Sequence, residues 1–400
     1  MKKILQNISV KRKSQLWQYY FFNFLKDFGF FSAVLVPFYT EWGHISLMQV
    51  QLLQSWFMLC LFLFDIPTGV IADHIGKKYA LALGALIDAI GAFVYGSSPH
   101  FTIFIVGEFL MALGISFISG ADDALLYDVL KENKLEKDSA KIFGHAHAVN
   151  LLGMLLSAII GSFIAGKFGL NAPMQASAIP LIIAFGIALV MKKPATKKRK
   201  NESKNYFMIA RRGLIFLRKQ RTLRKLALDG LIVYSAAYFV IWFYQPVLER
   251  IHISILYFGF FQALLIISEM LIAGNFGLLE KIFGSGKAFL RFSASATAFG
   301  FLVVAIYPGI ISVLLLLILS GGFGLTRIEL MTAYMNKFIP SGQRATVLSS
   351  ISTFRRIALV MINPLIGFTA DHSLQIALFI IGLLPLTLFL FSPIEQEMLE

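Results

Sequence analysis

Asp27, Asp65 and Glu108 each stand inside a long run of apolar residues. There an ionisable side chain costs about 2.5–3.5 kcal/mol on insertion scales and needs a partner, a water-filled cavity or a task. The task that suits a carboxyl group held out of bulk water is to take up and release a proton, or to hold a cation. A second set of charges, Asp122 with Asp123, Arg327 with Glu329, and Arg355 with Arg356, lies toward one end of the runs that carry them. With Asp73, these residues are expected to form ion pairs that close a passage on one side of the membrane. Plainer roles stand beside these. Asp27 would pair with a neighbouring helix, Asp65 would bond across the bend at Pro67-Thr68, and Arg355 and Arg356 would reach for the interface. Lys26 adjoins Asp27 in sequence but points elsewhere around a helix, so it is not the expected partner.

The elements that must position these residues are membrane spans. Of 400 residues 57% are hydrophobic and only 14% charged, too apolar a surface for a water-soluble globule. Apolar runs separated by polar breaks predict spans over 17–40, 46–72, 78–97, 101–129, 141–167 and 173–191. A second group follows at 225–249, 254–279, 287–306, 309–336, 343–370 and 374–392. The first stretch reads as a retained span, because no cleavable leader pattern precedes it. At 1.5 Å per residue Asp27 lies about 15 Å into its span, near the bilayer centre. Lys and Arg fall almost wholly in alternate loops, fourteen of them from Lys192 to Lys225, whereas the opposite loops hold only Lys167 and Arg250. Positive loops stay inside, so both termini are expected in the cytoplasm, and topology accounts for the +14 net charge better than nucleic-acid binding does. The expected fold is all-α and integral to the membrane: residues 1–191 form one six-helix bundle and 225–400 a second, ending in a short acidic tail. A basic linker, 192–224, joins them, with a helix over Tyr206–Gln220 that either lies on the inner leaflet or is a plain tether.

Between the second and third spans the chain reads Asp65-Ile-Pro-Thr-Gly69-Val-Ile-Ala-Asp73-His-Ile-Gly76-Lys77-Lys78. Gly69 would allow close helix approach, Asp73 would end one span beside the start of the next, and Gly76 would permit the reversal. Lys77 and Lys78 would then fix the inner side. Gly277 and Gly284 repeat the glycines in the matching loop of the second group, and the same spacing sets Glu329 opposite the acids of the fourth span. The loop resembles the signature of the major facilitator superfamily, with His74 where a basic residue is usual. FLKDFGFFSAVLVPF, SGADDALLYDVLK, WFYQPVLE and RATVLSS look like recurrent blocks of a bacterial branch of it. The resemblance implies a twelve-helix, two-bundle secondary transporter that works by alternating access, with a site near the bilayer midplane. It also places Glu108 where many members have an arginine. Gly153, Gly161, Gly166 and Gly169 match the glycine-rich fifth span of drug exporters, but the proline usual there is absent.

The expected function is therefore proton-coupled export of a small organic or amphipathic solute by a monomer in the cytoplasmic membrane. The partners are the solute, the proton and lipid. Uptake or facilitated diffusion of a nutrient is the alternative, and a lipid-modifying enzyme or a sensor that no longer transports is a third. No converging nucleophile and base supports an enzyme. No cofactor is expected: Gly284-Ser-Gly-Lys-Ala288 lacks the residues of a nucleotide loop, and His145 and His147 face apart, which argues against a metal. Cys60 stands alone, so a disulfide is not expected either.

Overall fold

A thirty-ångström hydrocarbon layer admits only chain segments that satisfy their own backbone hydrogen bonds, and the long helices answer that demand. The computed structural model describes residues 10–192, 215–216, 220–340, 343–392 and 394–399, all helix or connection with no strand among them. The helices are α1 Val10–Lys26, α2 Leu47–Ile75, α3 Lys77–Tyr95, α4 Phe101–Glu132, α5 Ser139–Phe168 and α6 Ala172–Val190. Then come α7 Arg221–Arg250, α8 Ile255–Ala273, α9 Gly286–Ile306, α10 Ile310–Phe338, α11 Arg344–His372 and α12 Leu374–Phe391. Among the described residues eleven helical stretches are long and apolar enough to cross a membrane, and α1 is not one of them. Most of the expected linker and of its surface helix lies outside the described residues.

Two compact units partition the chain. One comprises 1–44 and 56–201, the other 45–55 and 202–400, so the first turns of α2 belong with the second unit. There the Met48 amide donates to Asp371 Oδ2 at 3.2 Å and Ser55 Oγ to Val360 O at 3.0 Å. Large apolar side chains such as Phe93, Ile179, Leu271, Ile311 and Leu365 are more than half exposed, a surface that only lipid solvates well.

Within the first unit small residues let helices touch. A Cβ on Gly114 would lie 2.7 Å from the Asp88 amide, and one on Gly84 would lie 2.7 Å from Gly114 O, so α3 and α4 meet backbone to backbone. Gly69 does not act this way itself, since a Cβ there would meet nothing within 4 Å, and a Cβ on the facing Gly120 would make only ordinary contact, 3.6 Å from Gly69 Cα. Gly76 (φ +99°) and Gly284 (φ +78°) turn the two corresponding loops through backbone conformations that L side chains resist.

The expected first span departs from a continuous rod. α1 stops at Lys26, Asp27 to Phe31 bridge a break, and helical turns resume at Ser32, ending in a π-turn over Phe38–Trp42. Freed backbone groups find side-chain partners, as where the Phe30 amide donates to Ser177 Oγ at 2.9 Å. A Cβ on Gly161 would lie 1.7 Å from Phe30 O, so α5 rests directly on the break. Gly161→Ala is thus expected to destabilise the protein by about 1–3 kcal/mol in thermal unfolding. Gly186→Ala, where a Cβ meets nothing within 4 Å, should leave the transition unchanged or raise it.

Candidate functional site

The break in the first span places Asp27 off the helix, where it is exposed. Asn150 of α5 holds it there: its Nδ2 donates to Asp27 Oδ2 at 2.7 Å and to Asn23 O at 2.9 Å. Asp88 of α3, buried, feels the charge of Asp27, and its Oδ1 has no hydrogen-bond partner. Lys26, adjacent in sequence, feels the charge of Asp27 but takes its ion pair elsewhere. Its Nζ pairs with Asp122 Oδ2 on α4, while Asp123, next in sequence, is exposed.

The same unit holds a second carboxyl group. Glu108 on α4 is 5% exposed, and its Oε1 accepts from Tyr95 Oη of α3 at 2.8 Å and from Tyr39 Oη of the π-turn at 3.1 Å. The two phenolic oxygens are themselves 2.5 Å apart. Phe38 and Phe104, both fully buried, pack their rings against both tyrosines. Asp65 is half-buried on α2, three residues before Thr68, whose Oγ1 donates to Phe64 O at 2.8 Å and to Ser116 O of α4 at 3.2 Å. Thr68 thus ties α2 to α4.

At the motif loop, Lys77 Nζ reaches α4, donating to Asp128 Oδ2 at 2.5 Å and to Ala124 O at 3.0 Å. Lys78 lies over the ring of Tyr79, and Asp73 is exposed at the end of α2. The loop's first lysine therefore locks α3 to α4, through an aspartate the sequence reading did not single out.

In the second unit Arg327 and Asp229 form a deeply buried ion pair, each 1% exposed. Arg327 Nε and Nη2 both donate to Asp229 Oδ1, at 2.8 and 2.6 Å, and Nη1 donates to Leu290 O at 2.6 Å. Nearby, a cavity of about 330 Å³ is lined by Glu329, Thr332, Ser352 and Arg355 among apolar neighbours. The Arg355 guanidinium stacks over Tyr234 at 4.6 Å, and Glu269 of α8 and Glu329 act electrostatically on that tyrosine and on each other. The expected gate charges thus divide. Asp122 and Arg327 are each paired inside their own unit, and Glu329 with Arg355 share a cavity wall.

Sequence reading missed Asp88, Asp229 and Glu269, although the rule that flagged Asp27 and Glu108 applies equally to them: each is an ionisable group inside an apolar run. Tyr39 and Tyr95 carried no such signal, because tyrosines are ordinary residues in membrane helices. Among the described residues no group of three or more His, Cys, Asp or Glu is placed to hold a metal ion.

Comparison with known proteins bears on what these clusters serve. The chain is 26% identical over 169 residues to "Multidrug resistance protein 2" of Bacillus subtilis, spanning 42% of this chain and 41% of that protein. It is 30% identical over 96 residues to "Chloramphenicol resistance protein CraA" of Acinetobacter baumannii, 24% of this chain and 22% of that one. "Probable polyol transporter 3" of Arabidopsis thaliana matches at 27% over 154 residues, 36% of this chain and 29% of that protein. These matches span less than half the length of the relatives. Among solved structures, a mutant of the nucleoside transporter NupG superposes with a TM-score of 0.82 at 13% identity, covering 97% of this chain and all of that one. A D-xylose-proton symporter does so at 0.72 and 11% identity, covering 97% and 99%, so these two show a shared fold. The family model of the Major Facilitator Superfamily matches residues 16–363, most of a chain rich in helices long and apolar enough to cross a membrane, so the chain belongs to that superfamily.

Proposed function

We propose that this transporter couples the export of a small organic or amphipathic solute to proton entry, by alternating access across a cytoplasmic membrane. The observation that carries the reading is the pair of carboxyl sites in the first unit: Asp27, exposed at a helix break, and Glu108, buried among hydroxyl donors. Such groups persist in a membrane where they do work, and the work that fits is proton binding. Asp65 is the third coupling candidate. The resistance proteins of Bacillus and Acinetobacter among the relatives support export. In this reading the first span crosses the membrane despite its break, which gives twelve spans, both termini in the cytoplasm and a chain that works as a monomer.

The inner gate is proposed on Asp73, Asp123, Glu329, Arg355 and Arg356. Lys26 and Asp229 engage Asp122 and Arg327 locally, which gives those two a bundle-stabilising role. The motif residues Gly69, Gly76, Lys77 and Lys78 hold the loop beside that gate. Arg355→Glu is expected to depopulate the outward-open state selectively, read as altered cysteine accessibility at reporter positions. Unchanged populations would remove Arg355 from the gate.

A second reading, uptake of a polar nutrient, is favoured by the polyol transporter among the relatives and the D-xylose-proton symporter among the structures. The experiment begins with a ligand-stabilisation screen on purified protein, followed by counterflow of each hit in proteoliposomes. Saturable, transient accumulation of labelled solute is the expected result. Flux that never saturates, or none for any stabilising ligand, would mark a channel or a sensor instead. The direction of gradient-driven flux then separates export from uptake.

A further inference from the structure

Three oxygens meet where the first span, α3 and α4 converge, and all three edges of their triangle are within hydrogen-bonding distance: 2.5 Å between Tyr39 and Tyr95, 2.8 Å from Tyr95 to Glu108, and 3.1 Å from Tyr39 to Glu108. Each hydrogen bond needs a proton on its edge. The two phenols supply two protons and an ionised carboxylate supplies none, so one edge of the triangle would bring two oxygens to contact distance with nothing between them. A carboxylic acid supplies the third. With it, each oxygen donates once and accepts once around a closed ring.

We infer that Tyr39, Tyr95 and Glu108 together form a single proton-binding site, a three-hydroxyl ring that is closed when Glu108 carries its proton and opens when the proton leaves. On release the carboxyl O–H proton departs, the two phenolic protons are left to serve three edges, and the edge left without a proton repels. The edges that involve Tyr39 are the ones free to part, because Tyr39 stands on the π-turn at the end of the first span, whereas Tyr95 and Glu108 sit on helices in close contact. A π-turn replaces the usual bonding of a helix with a wider one, here Gly43 N to Phe38 O at 2.9 Å. Proton loss is thereby tied to movement of the outer part of the first span.

The surroundings are built to fit. Gly107, next to Glu108, lets the Tyr95 ring lie against α4, since a Cβ there would fall 1.9 Å from Tyr95 Cδ2. Gly43 does the same for Phe104, with a Cβ 2.7 Å from its ring. Titratable groups that face Glu108 include Tyr39 from the first span, Tyr95 from α3, and Cys60 from α2, which feels its charge; Glu41 on the same π-turn is exposed. The inference deepens the coupling role proposed for Glu108 and rests on that reading for what the proton drives, but not for where it is held.

Infrared difference spectroscopy on the full-length protein in lipid nanodiscs tests it without any transported solute, by following the carbonyl stretch of protonated carboxyl groups during a pH titration. A protonated-carboxyl band at neutral pH that disappears in Glu108→Gln is the expected result. In Tyr39→Phe and, independently, Tyr95→Phe, protonation no longer closes a ring, and the ratio of protonated to ionised Glu108 at the same pH should fall about threefold to tenfold, the worth of one net hydrogen bond. If the tyrosines merely solvate a carboxylate, the same substitutions raise that ratio instead, and this result, or a neutral-pH spectrum unchanged by Glu108→Gln, overturns the ring. Should the ring pass and pH-driven flux be absent, the proton site stands and the coupling reading fails.

Discussion

Purified Arg327→Leu protein is expected to be less stable than the parent by about 3–5 kcal/mol, the cost of stranding one member of a buried ion pair. Asp229 would then be a carboxylate with 1% exposure that has lost both its charge partner and two hydrogen bonds. Leu290 O would lose its donor as well. Asp229→Leu strands the guanidinium in the same way and should cost a similar amount. The double variant Arg327→Leu with Asp229→Leu removes both charges, and it should recover most of the loss because an apolar pair of similar volume replaces an ion pair at little net cost. Lys26→Met, whose pair with Asp122 lies in a more accessible place, should cost less than Arg327→Leu. Thermal unfolding in a mild detergent, monitored by intrinsic tryptophan fluorescence, reads all four. A double variant no better than the single ones would mean that the charges do more than satisfy each other.

Asp27→Asn and Glu108→Gln should each abolish most of the response of solute flux to an imposed pH gradient while leaving counterflow in place. The amides preserve size and hydrogen-bonding capacity but cannot exchange a proton. Asn150 can still bond to an amide oxygen at position 27, and the tyrosines can still donate to one at position 108. Net transport driven by protons needs a group that titrates, whereas exchange of labelled for unlabelled solute does not. The ratio between driven and undriven flux should collapse toward one. If counterflow falls together with driven flux, the residue is structural or binds solute directly. Asp88, buried and within the field of Asp27, makes a sharper comparison. Asp88→Asn, which removes that buried carboxyl group without changing its size, should lower driven flux and spare counterflow.

The helices were legible because bilayer thickness dictates the length of an apolar run and leaves the backbone no alternative to helix. The expected spans at 46–72, 78–97 and 101–129 therefore lie almost on Leu47–Ile75, Lys77–Tyr95 and Phe101–Glu132. The break after Lys26 was not legible. Asp27-Phe28-Gly29 contains one glycine and no proline, and the break is held by Ser177, Asn150 and the bare face of Gly161, all more than 120 residues away. The reversal at Gly76 was readable from a local rule, while the role assigned to Gly69 was not, because whether a glycine gives room depends on how near the neighbouring helix comes.

The same distinction runs through the charges. That an ionisable group sits in a membrane run is a local fact, so Asp27, Asp65 and Glu108 stood out, and Asp88, Asp229 and Glu269 would have done so under the same rule. Who pairs with whom is a long-range fact. Lys26 with Asp122 and Asp229 with Arg327 are 96 and 98 residues apart, and only packing brings them together. Tyr39 and Tyr95 became part of a site through the π-turn and Gly107, neither of which is visible in a hydropathy pattern.

The most direct test of the coupling account follows protons instead of solute. Proteoliposomes loaded with a pH-sensitive dye are given a gradient of a stabilising solute and no pH gradient. With the parent protein the solute gradient should drive protons the opposite way and change the internal pH, and with the double variant Asp27→Asn and Glu108→Gln the trace should stay flat. Saturable solute movement by the parent protein with no change in internal pH would contradict the account.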